Sequence, residues 1–535
     1  MDKALARQIL LACASGLLYP LCFPDFDLGV LAWVLLIPLH FAVESASLRR
    51  AFHIGWLAGL IGFTGIMSWV VTAMHLYGKM PLAAGYAVMA LLTAYLGLYV
   101  ALYAVGYVWL KRTAPSVLVL TAPSLWVSLE LLRTYVLSGL PWALLGYSQS
   151  HWLPIIQIAD HTGVYGVSFL IALGNLALTE LMIWLLARIR RQDQVRLAWH
   201  APASALLGIA IAWMYGQSVL QADARSPDTR TLSIGLVQAN IDQAHKWDVA
   251  YREETLERYR RLTAQVADRS DLIIWPEAAT PFLFELEPQY RLEVTAMARE
   301  ARAPLLFGSP ALRYSLDRRP YLLNSAYLLS PDGQIMGRYD KQHLVPFGEY
   351  IPLHSSLLFF LDKLVEGIGD FEAGTTPTIL TIRPQVADAL QRGEKRPDVK
   401  FGVVICYEVI FPDLVRQFVA NGAEFMATIT NDAWFGRSAA PYQHFGMVVF
   451  RSVENRVAFA RAANTGVSGF IDPSGRILSA TPIFTEDAVT GAIPVQHRPT
   501  FYTRYGDVFA YGCVIITGLF LTAARFRRND RGNRR

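Results

Sequence analysis

The stretch Phe401-Gly-Val-Val-Ile-Cys-Tyr-Glu408 places a thiol and a carboxylate directly after a short, uncharged and largely apolar run. An uninterrupted run of this length is typical of a strand that is buried on both faces of its sheet. We therefore predict a buried strand over 401–405, with Cys406 and Glu408 just beyond its carboxyl end. The pattern indicates an α/β fold for this part of the chain.

Apolar runs on either side of this stretch alternate with charged segments that have helical periodicity. Further strands are predicted at 231–238, 272–275, 304–308, 324–329, 334–339, 425–430, 467–471 and 476–479. Helices are predicted at 250–268, 289–302 and 445–463. The turn sequences Asp332-Gly333 and Pro473-Ser474-Gly475 predict two hairpins.

Most of the remaining chain is nearly free of charge. Only 17% of the 535 residues are charged, whereas soluble proteins carry about 25%. A disordered chain is excluded by the apolar content of 53%. Charged residues are absent from eight stretches: 8–24, 28–43, 51–78, 80–110, 113–129, 161–179, 197–222 and 508–524. Since about 20 apolar helical residues cross a bilayer core, we predict eight transmembrane helices, the first being an uncleaved helix rather than a signal peptide.

Basic residues lie in alternate loops between these stretches and indicate the orientation in the membrane. They are Lys3, Arg7, Arg49, Arg50, Lys111, Arg112, Arg188, Arg190, Arg191 and Arg196, with six more arginines after residue 524. The positive-inside rule then predicts that both termini are cytoplasmic. The expected domains are a seven-helix transmembrane domain at 1–218, an extracytoplasmic domain at 219–505, and an eighth helix with a basic tail at 506–535. The net charge of +5 reflects this topology, and we expect no nucleic-acid partner.

Three reactive side chains follow apolar runs of the predicted extracytoplasmic domain. They are Glu277 in Trp275-Pro276-Glu277, Lys341 in Tyr339-Asp340-Lys341, and Cys406. A thiol with a pKa of about 8.5 is a poor nucleophile near neutral pH. A carboxylate can accept its proton, and an ammonium can stabilise the thiolate and then the oxyanion of a tetrahedral intermediate. These residue types are therefore sufficient for acyl transfer.

The cysteines support this interpretation of Cys406. Cys13, Cys22 and Cys513 fall within predicted membrane helices, so Cys406 is the only cysteine outside them. In an oxidising compartment it has no partner within its own domain. A small buried hydrophobe is the alternative, which the motifs around Glu277 and Lys341 disfavour. No Cys or His cluster has metal-ligand spacing, and we expect no metal.

Glu277, Lys341 and Cys406, in this order, resemble the catalytic triad of the nitrilase superfamily. With the eight predicted helices, they resemble one branch of it, the bacterial apolipoprotein N-acyltransferases. The resemblance covers nearly the whole chain. It rests on Ser68-Trp69 with His75, Gly139-Leu140-Pro141-Trp142, Gly146-Tyr147-Ser148-Gln149, Gly163-Val164-Tyr165-Gly166-Val167-Ser168, Gln238-Ala239-Asn240 with Trp247, Pro346-Phe347-Gly348-Glu349-Tyr350, Cys406-Tyr407-Glu408 and Asn431-Asp432-Ala433-Trp434-Phe435, besides the motifs of Glu277 and Lys341.

This resemblance implies an α-β-β-α sandwich for the outer domain and a two-step reaction without a cofactor. Cys406 would attack an acyl ester of a phospholipid, expected to be phosphatidylethanolamine at sn-1, and form a thioester. The α-amine of the S-diacylglyceryl-cysteine at the N-terminus of an apolipoprotein would then take the acyl chain, as the last step of lipoprotein maturation. The family further implies a multi-pass protein of the bacterial inner membrane with a periplasmic catalytic domain.

The resemblance also implies roles for individual residues. Glu277 would be the general base and Lys341 the stabiliser of the thiolate and oxyanion. Glu349 and Glu408 are expected to orient Lys341 and either the amine or Cys406, with structural salt bridges as the alternative. The backbone N–H of Tyr407 is a candidate oxyanion donor.

Several apolar residues are candidates for binding substrate. Trp247 matches a family position beside the site. Trp434 lies in a motif loop that is as compatible with a structural role as with a catalytic one. The apolar segments 281–286 and 354–368 predict loops that dip into the outer leaflet, with ordinary packing as the alternative. Within the second segment, the candidates are Leu357, Phe359 and Phe360.

Other interpretations remain open at the level of sequence. His343 or His444 could form a Cys–His pair with Cys406, although no third orienting group is evident. A membrane-tethered amide or nitrile hydrolase would use the same triad with water as the acceptor. An inactive lipoprotein-binding sensor would be expected to lack a triad member. We expect a monomer because the triad is complete in one chain.

Overall fold

The computed structural model describes residues 3–192, 194, 196–224, 230–315, 317–350, 371–384 and 397–533. The chain divides into two compact units. The first comprises Met1–Val71, Ala83–Ala224 and Tyr505–Arg535, and the second comprises Thr72–Leu82 and Arg225–Arg504. The segment Thr72–Leu82 therefore groups with the second unit, although it lies among the membrane helices in the sequence.

The first unit is helical. Its helices are α1 (Lys3–Leu21), α2 (Ile37–Val43), α3 (Leu48–Ile66), α4 (Trp69–Thr72), α5 (Leu82–Thr113), α6 (Leu118–Tyr135), α7 (Leu153–Ile156), α8 (Ala159–Thr162), α9 (Val164–Ile189) and α10 (His200–Ala224), followed by a C-terminal helix over Val508–Asn533. Each of the eight uncharged stretches thus contains helix.

Length and apolarity identify the candidate membrane spans among the described residues. Five helices qualify: Lys3–Leu21, Leu82–Thr113, Pro115–Ser138, Val164–Ile189 and His200–Asp223. The pair Leu48–Ile66 and Trp69–Tyr77, bent by 52°, makes a sixth if it is one broken span. Gly29–Val43 and Val508–Thr522 are shorter apolar helices. The chain is therefore consistent with a multi-pass membrane protein, and the count of eight crossings stays a prediction.

Among its described residues, the second unit contains two six-stranded sheets. The first has the order β12-β1-β2-β3-β4-β5 and the second the order β11-β10-β9-β8-β7-β6. The strands are β1 (Thr231–Gln238), β2 (Leu272–Ile274), β3 (Leu305–Tyr314), β4 (Pro320–Leu329), β5 (Ile335–Asp340), β6 (Ile379–Ile382), β7 (Val399–Ile405), β8 (Phe425–Thr430), β9 (Ala458–Ala463), β10 (Gly469–Ile471), β11 (Ile477–Ala480) and β12 (Asp487–Pro494).

Each sheet has a parallel centre and antiparallel edges. β1, β2 and β3 are parallel in one sheet, and β7, β8 and β9 are parallel in the other. Parallel strands are covered on both faces of the sheet, so their sequences are nearly continuous apolar runs. This explains why the buried strands β2 and β8 were evident from the sequence.

Helices cover the outer faces of the two sheets. α11 (Arg252–Val266) and α12 (Pro288–Ala301) bury their apolar faces against the first sheet. α13 (Pro412–Ala420) and α14 (Ala440–Asn455) pack on the second, and α15 spans Phe501–Tyr505. Because β1 contacts β9 and β4 contacts β7, the sheets face each other. The result is the α-β-β-α sandwich of the nitrilase-like fold.

The predicted helix at 445–463 is confirmed over 445–455 and is wrong beyond that. α14 ends at Asn455 and is followed by strand β9. Arg456 takes a left-handed conformation with φ of 52°, and its N–H bonds the carbonyl of Ser452, which closes the helix. No glycine or proline marks this end in the sequence. Pairing of β9 between β8 and β10 decides the conformation. The strands β6 and β12 and the helix α13 were also missed.

Candidate active site

Glu277, Lys341 and Cys406 lie just after the carboxyl ends of three strands. Glu277 follows β2 and Lys341 follows β5 in the first sheet, whereas Cys406 follows β7 in the second. Because the sheets face each other, residues from both meet in one cluster. Glu277 and Lys341 are buried, Cys406 is partly exposed, and the charges of Glu277 and Lys341 act on its thiol. The fold thus brings together the three residues that the sequence singled out.

The carboxylate of Glu277 is held from several sides. Its Oε1 accepts a hydrogen bond from Nδ2 of Asn324 at 2.8 Å and lies 3.5 Å from Nζ of Lys341. Its Oε2 accepts a hydrogen bond from the backbone N–H of Asn431 at 2.9 Å. These contacts fix the orientation of the carboxylate.

The ammonium of Lys341 lies between two carboxylates. Its Nζ is 2.8 Å from Oε1 of Glu349 and 3.5 Å from Oε1 of Glu277. Burial by itself lowers the pKa of Lys341, but the charges of Glu349 and Glu277 outweigh burial and hold this pKa well above its usual range. Lys341 is therefore a permanent cation. Glu349 is fixed in turn by the N–H of Val345 and by Nδ2 of Asn324, each at 2.8 Å.

Cys406 begins the turn Cys406–Ile410, with φ of 52° in the left-handed region. Burial raises the pKa of its thiol, and so does the charge of Glu277, whereas Lys341 lowers it. The net pKa lies above the usual range, so the resting thiol keeps its proton. Chemistry at this sulfur then requires a base, and Glu277 is the carboxylate whose charge acts most strongly on the thiol.

Glu408 supports the main chain on both sides of the site. Its Oε1 accepts hydrogen bonds from the hydroxyl of Tyr339 at 2.7 Å and the N–H of Gln342 at 2.6 Å, and its Oε2 accepts one from the N–H of Ile405 at 2.7 Å. Burial raises the pKa of Glu408 to about 7, and these hydrogen bonds oppose that rise. The carboxylate thereby ties the segment after Lys341 to the end of β7.

His444 lies next to the nucleophile, and its Nε2 is 3.1 Å from the carbonyl oxygen of Cys406. Its Nδ1 lies 3.0 Å from a guanidinium nitrogen of Arg461, which also bonds Asp432 at 2.8 Å. Burial and the charge of Arg461 lower the pKa of His444. Because the carbonyl oxygen of Cys406 can only accept a hydrogen bond, Nε2–H donates to it, while Nδ1 also lies 3.1 Å from Oδ1 of Asp432. The structure thus places His444 against the main chain of Cys406, and a Cys–His pair remains an alternative.

Family comparisons cover both halves of the chain. Residues 15–177 match the family described as the apolipoprotein N-acyltransferase N-terminal domain, and residues 233–499 match the carbon-nitrogen hydrolase family. The apolipoprotein N-acyltransferase of Geobacter metallireducens is 43% identical over 99% of this chain and 97% of its own. That of Methylococcus capsulatus is 35% identical over 98% and 97%. The chain belongs to the apolipoprotein N-acyltransferase family.

A third relative, the apolipoprotein N-acyltransferase of Chlorobaculum tepidum, is 32% identical over 99% of this chain and 98% of its own. Among solved structures, an amidase of the nitrilase superfamily from Nesterenkonia is 18% identical and covers 49% of this chain and 90% of that chain, with a TM-score of 0.36. The family assignment rests on the family models and the full-length relatives.

The sequence analysis of this apolipoprotein N-acyltransferase family member selected two tryptophans as candidates for binding substrate. Both are exposed. Trp247 is 49% exposed and Trp434 is 40% exposed. The ring of Trp434 meets that of Tyr77 edge-on at 5.6 Å. Phe347, which the sequence analysis did not select, is 45% exposed in the loop before Glu349. Leu357, Phe359 and Phe360 lie outside the described residues.

The predicted membrane-dipping loop at 281–286 is wrong for most of its length. Phe282 and Phe284 are buried in the core of the first sheet and its helices. The ring of Phe284 packs against Phe307 at 4.9 Å and Tyr327 at 5.4 Å. Leu286 remains exposed. The apolar character of this segment therefore reflects ordinary packing.

Sequence reasoning missed two polar residues of the site. Asn324 donates hydrogen bonds to Glu277 and Glu349, and a polar residue within the apolar run of β4 was the available signal. Lys246 is 3% exposed and donates to the main-chain oxygen of Glu277 at 3.1 Å. Its only signal was its position directly before Trp247. Among the described residues no group of three or more His, Cys, Asp or Glu could hold a metal ion.

Proposed function

We propose that this protein is an N-acyltransferase that moves an acyl chain from a phospholipid to an apolipoprotein through a thioester on Cys406. The donor is phosphatidylethanolamine, with the sn-1 chain transferred. The acceptor is the α-amine of an N-terminal S-diacylglyceryl-cysteine, and the reaction is the last step of lipoprotein maturation. The observation that carries this proposal is the cluster of Glu277, Lys341 and Cys406 in a chain of this family.

In the first half-reaction, Glu277 accepts the proton of the Cys406 thiol and the thiolate attacks the ester carbonyl. The negative charge that develops on the carbonyl oxygen is stabilised by Lys341, with the backbone N–H of Tyr407 as a second donor. Collapse of the intermediate breaks the ester C–O bond. The lysophospholipid oxygen takes the proton from Glu277 and leaves, and the acyl chain remains on sulfur.

In the second half-reaction, the α-amine of the apolipoprotein attacks the thioester. Glu277 accepts the amine proton, and the C–S bond breaks as the amide forms. The Cys406 sulfur then regains the proton. A thioester acylates an amine readily because the amide product is more stable, so no further activating group is required.

The membrane arrangement is part of the proposal. Eight spans, with both termini in the cytoplasm, leave 219–505 as a periplasmic catalytic domain between the transmembrane parts at 1–218 and 506–535 of an inner-membrane protein. A donor that is already in the bilayer can then reach Cys406 without an external activated acyl group. The protein acts as a monomer because all three reacting residues come from one chain.

Exposed apolar side chains are proposed to contact the lipid chains. Trp247 and Trp434 are the described candidates, and exposed aromatic side chains beside a site mark a binding surface. Leu357, Phe359 and Phe360 are proposed for the same purpose from their apolar sequence. Their simultaneous replacement by Ser should impair acylation from lipid much more than folding.

The proposal is tested with the full-length protein in detergent micelles and phospholipid carrying a labelled acyl chain. Mass spectrometry should detect the labelled acyl group on Cys406, and adding a diacylated lipopeptide should remove it and give the triacylated product. Cys406→Ala should form neither species. Retained transfer in Cys406→Ala would contradict the mechanism. Release of labelled free fatty acid without transfer to the lipopeptide would instead identify a hydrolase.

A further inference from the structure

A second lysine is buried beside the proposed base. Lys246 is 3% exposed, and its Nζ donates a hydrogen bond of 3.1 Å to the main-chain oxygen of Glu277. An ammonium that is removed from water is costly unless charges or hydrogen bonds compensate for its lost hydration. Lys246 has no role in either of the two proposed half-reactions.

The main chain beside Glu277 has a conformation that depends on contacts with its surroundings. The next residue, Ala278, has φ of 46°, in the left-handed region that non-glycine residues rarely adopt. A Cβ on Gly308 would lie 2.7 Å from the Cα of Glu277, so the neighbouring strand approaches this turn closely. The hydrogen bond from Lys246 therefore acts on a peptide whose position is tightly constrained.

Lys246 also lies within the electrostatic field of the reacting groups. Burial lowers the pKa of its ammonium to about 8, and the charges of Glu277 and Cys406 oppose this effect. Below about this pH, the residue is a cation, so the cluster holds two positive groups, Lys246 and Lys341, against the carboxylates Glu277 and Glu349. Transfer of a proton from Cys406 to Glu277 leaves this balance unchanged.

We propose that Lys246 is a positioning residue for acyl transfer: its ammonium holds the main chain of Glu277 and supplies the second positive charge that favours the Cys406 thiolate. This inference rests on the function proposed above. Without Lys246, the site would be one unit more negative both before and after the proton leaves Cys406, and a more negative site destabilises the thiolate. Thiolate formation and acylation would both become less favourable.

The test uses the full-length protein with Lys246→Met, Lys246→Arg and, as a matched control, Lys400→Met at an exposed position of β7. Two rates are measured from about pH 6 to pH 10: formation of the labelled acyl-enzyme from phospholipid and alkylation of Cys406 by iodoacetamide. Thermal unfolding of each variant shows whether it is folded.

Lys246→Met should slow acyl-enzyme formation about 10- to 100-fold, since a small displacement of a reacting group can cost about that much. Its alkylation should be slower than that of the wild-type protein below about pH 8, where Lys246 is charged, because removing a nearby cation raises the pKa of the thiol. Lys246→Arg should restore most of the alkylation profile and remove any decline of acylation above about pH 8, because a guanidinium stays charged.

Two results would overturn this inference. One is a folded Lys246→Met whose alkylation follows the wild-type pH profile. The other is an equal loss of acylation in the Met and Arg variants with unchanged pH profiles, which would show that the lysine only supports the loop. If the wild-type protein forms no acyl-enzyme, the proposed function fails, but the alkylation measurement still tests the effect of Lys246 on Cys406.

Discussion

The ammonium nitrogen of Lys341 lies 2.8 Å from a carboxylate oxygen of Glu349, where the lysine side chain is only 1% exposed. Glu349 is thus the nearest anionic partner of a cation that the fold removes from water. Since Glu277 lies farther away, at 3.5 Å, it can exchange a proton while Lys341 keeps its charge. Glu349 is thus the ion-pair partner of Lys341, and Glu277 remains available as the proposed base.

Glu349→Ala should lower the free energy of unfolding by about 3 kcal/mol, the lower end of the cost of breaking a buried ion pair, because Glu277 still faces Lys341. Glu349→Gln keeps an acceptor oxygen for Lys341, so its free energy of unfolding should fall by only about 1–2 kcal/mol. Both should reduce acyl-enzyme formation, as Lys341 would then draw closer to Glu277 and weaken it as a base. Chemical unfolding and the labelled-phospholipid assay measure the two effects. Glu372→Ala, at an exposed position, is the control, and a wild-type unfolding curve for Glu349→Ala would contradict the prediction.

The hydrogen bond from His444 to the carbonyl of Cys406 should be needed to place the sulfur. A left-handed residue other than glycine costs about 1–2 kcal/mol, so Cys406 requires support from its surroundings. His444→Gln can place an amide N–H near the position of Nε2 and should retain substantial acylation. His444→Asn is too short to reach the carbonyl and should be about 100-fold slower. Acyl-enzyme formation at the wild-type rate by a folded His444→Asn would show that this contact does not position the nucleophile.

Asp432 should make stability depend on pH in the acid range. Burial by itself raises the pKa of this carboxyl, but Arg461 and His444 outweigh burial and lower it to about 2. Because this pKa lies below the unfolded value of about 3.9, the ionised group stabilises the fold above that value. The contribution, about 2 kcal/mol, is lost as the pH falls through about 2.

Asp432→Asn should therefore be less stable than the wild-type protein near neutral pH and should lose less stability on acidification. Unfolding midpoints across a pH series measure both effects. Asp398→Asn, which breaks the exposed ion pair with Arg383, should leave stability nearly unchanged, because water screens an exposed pair. Equal acid sensitivity of Asp432→Asn and the wild-type protein would argue against a depressed pKa.

Trp247→Ala and Trp434→Ala should weaken phospholipid binding without lowering stability. Both rings are already exposed, so their removal opens no cavity in the core. An aromatic side chain that becomes buried against a ligand contributes about 1.5–3 kcal/mol, which corresponds to a KM for phospholipid raised at least about 10-fold. Tyr314→Ala, a change at another exposed aromatic residue, is the control. A wild-type KM for phospholipid in both variants would show that neither tryptophan contributes to binding the lipid.

Local patterns in the sequence identified much of this architecture. The apolar run before Cys406 became β7, and the run 425–430 became β8 with the predicted bounds. Charge-free stretches marked the helices of the first unit because apolar composition extends over whole helices. The boundary between α14 and β9 was not evident, since residues 457–463 are apolar except for Arg461, and such a run suits either a helix or a central strand.

The residues themselves determined where Glu277, Lys341 and Cys406 stand relative to their strands, because each follows a recognisable apolar run. Only the tertiary structure decided what surrounds them. Asn431 reaches Glu277 across 154 residues of sequence, Lys246 reaches it across 31, and His444 reaches Cys406 across 38. Such partners are brought together when two sheets pack face to face. A sequence pattern that repeats every two to four residues reports only local structure and does not specify that packing.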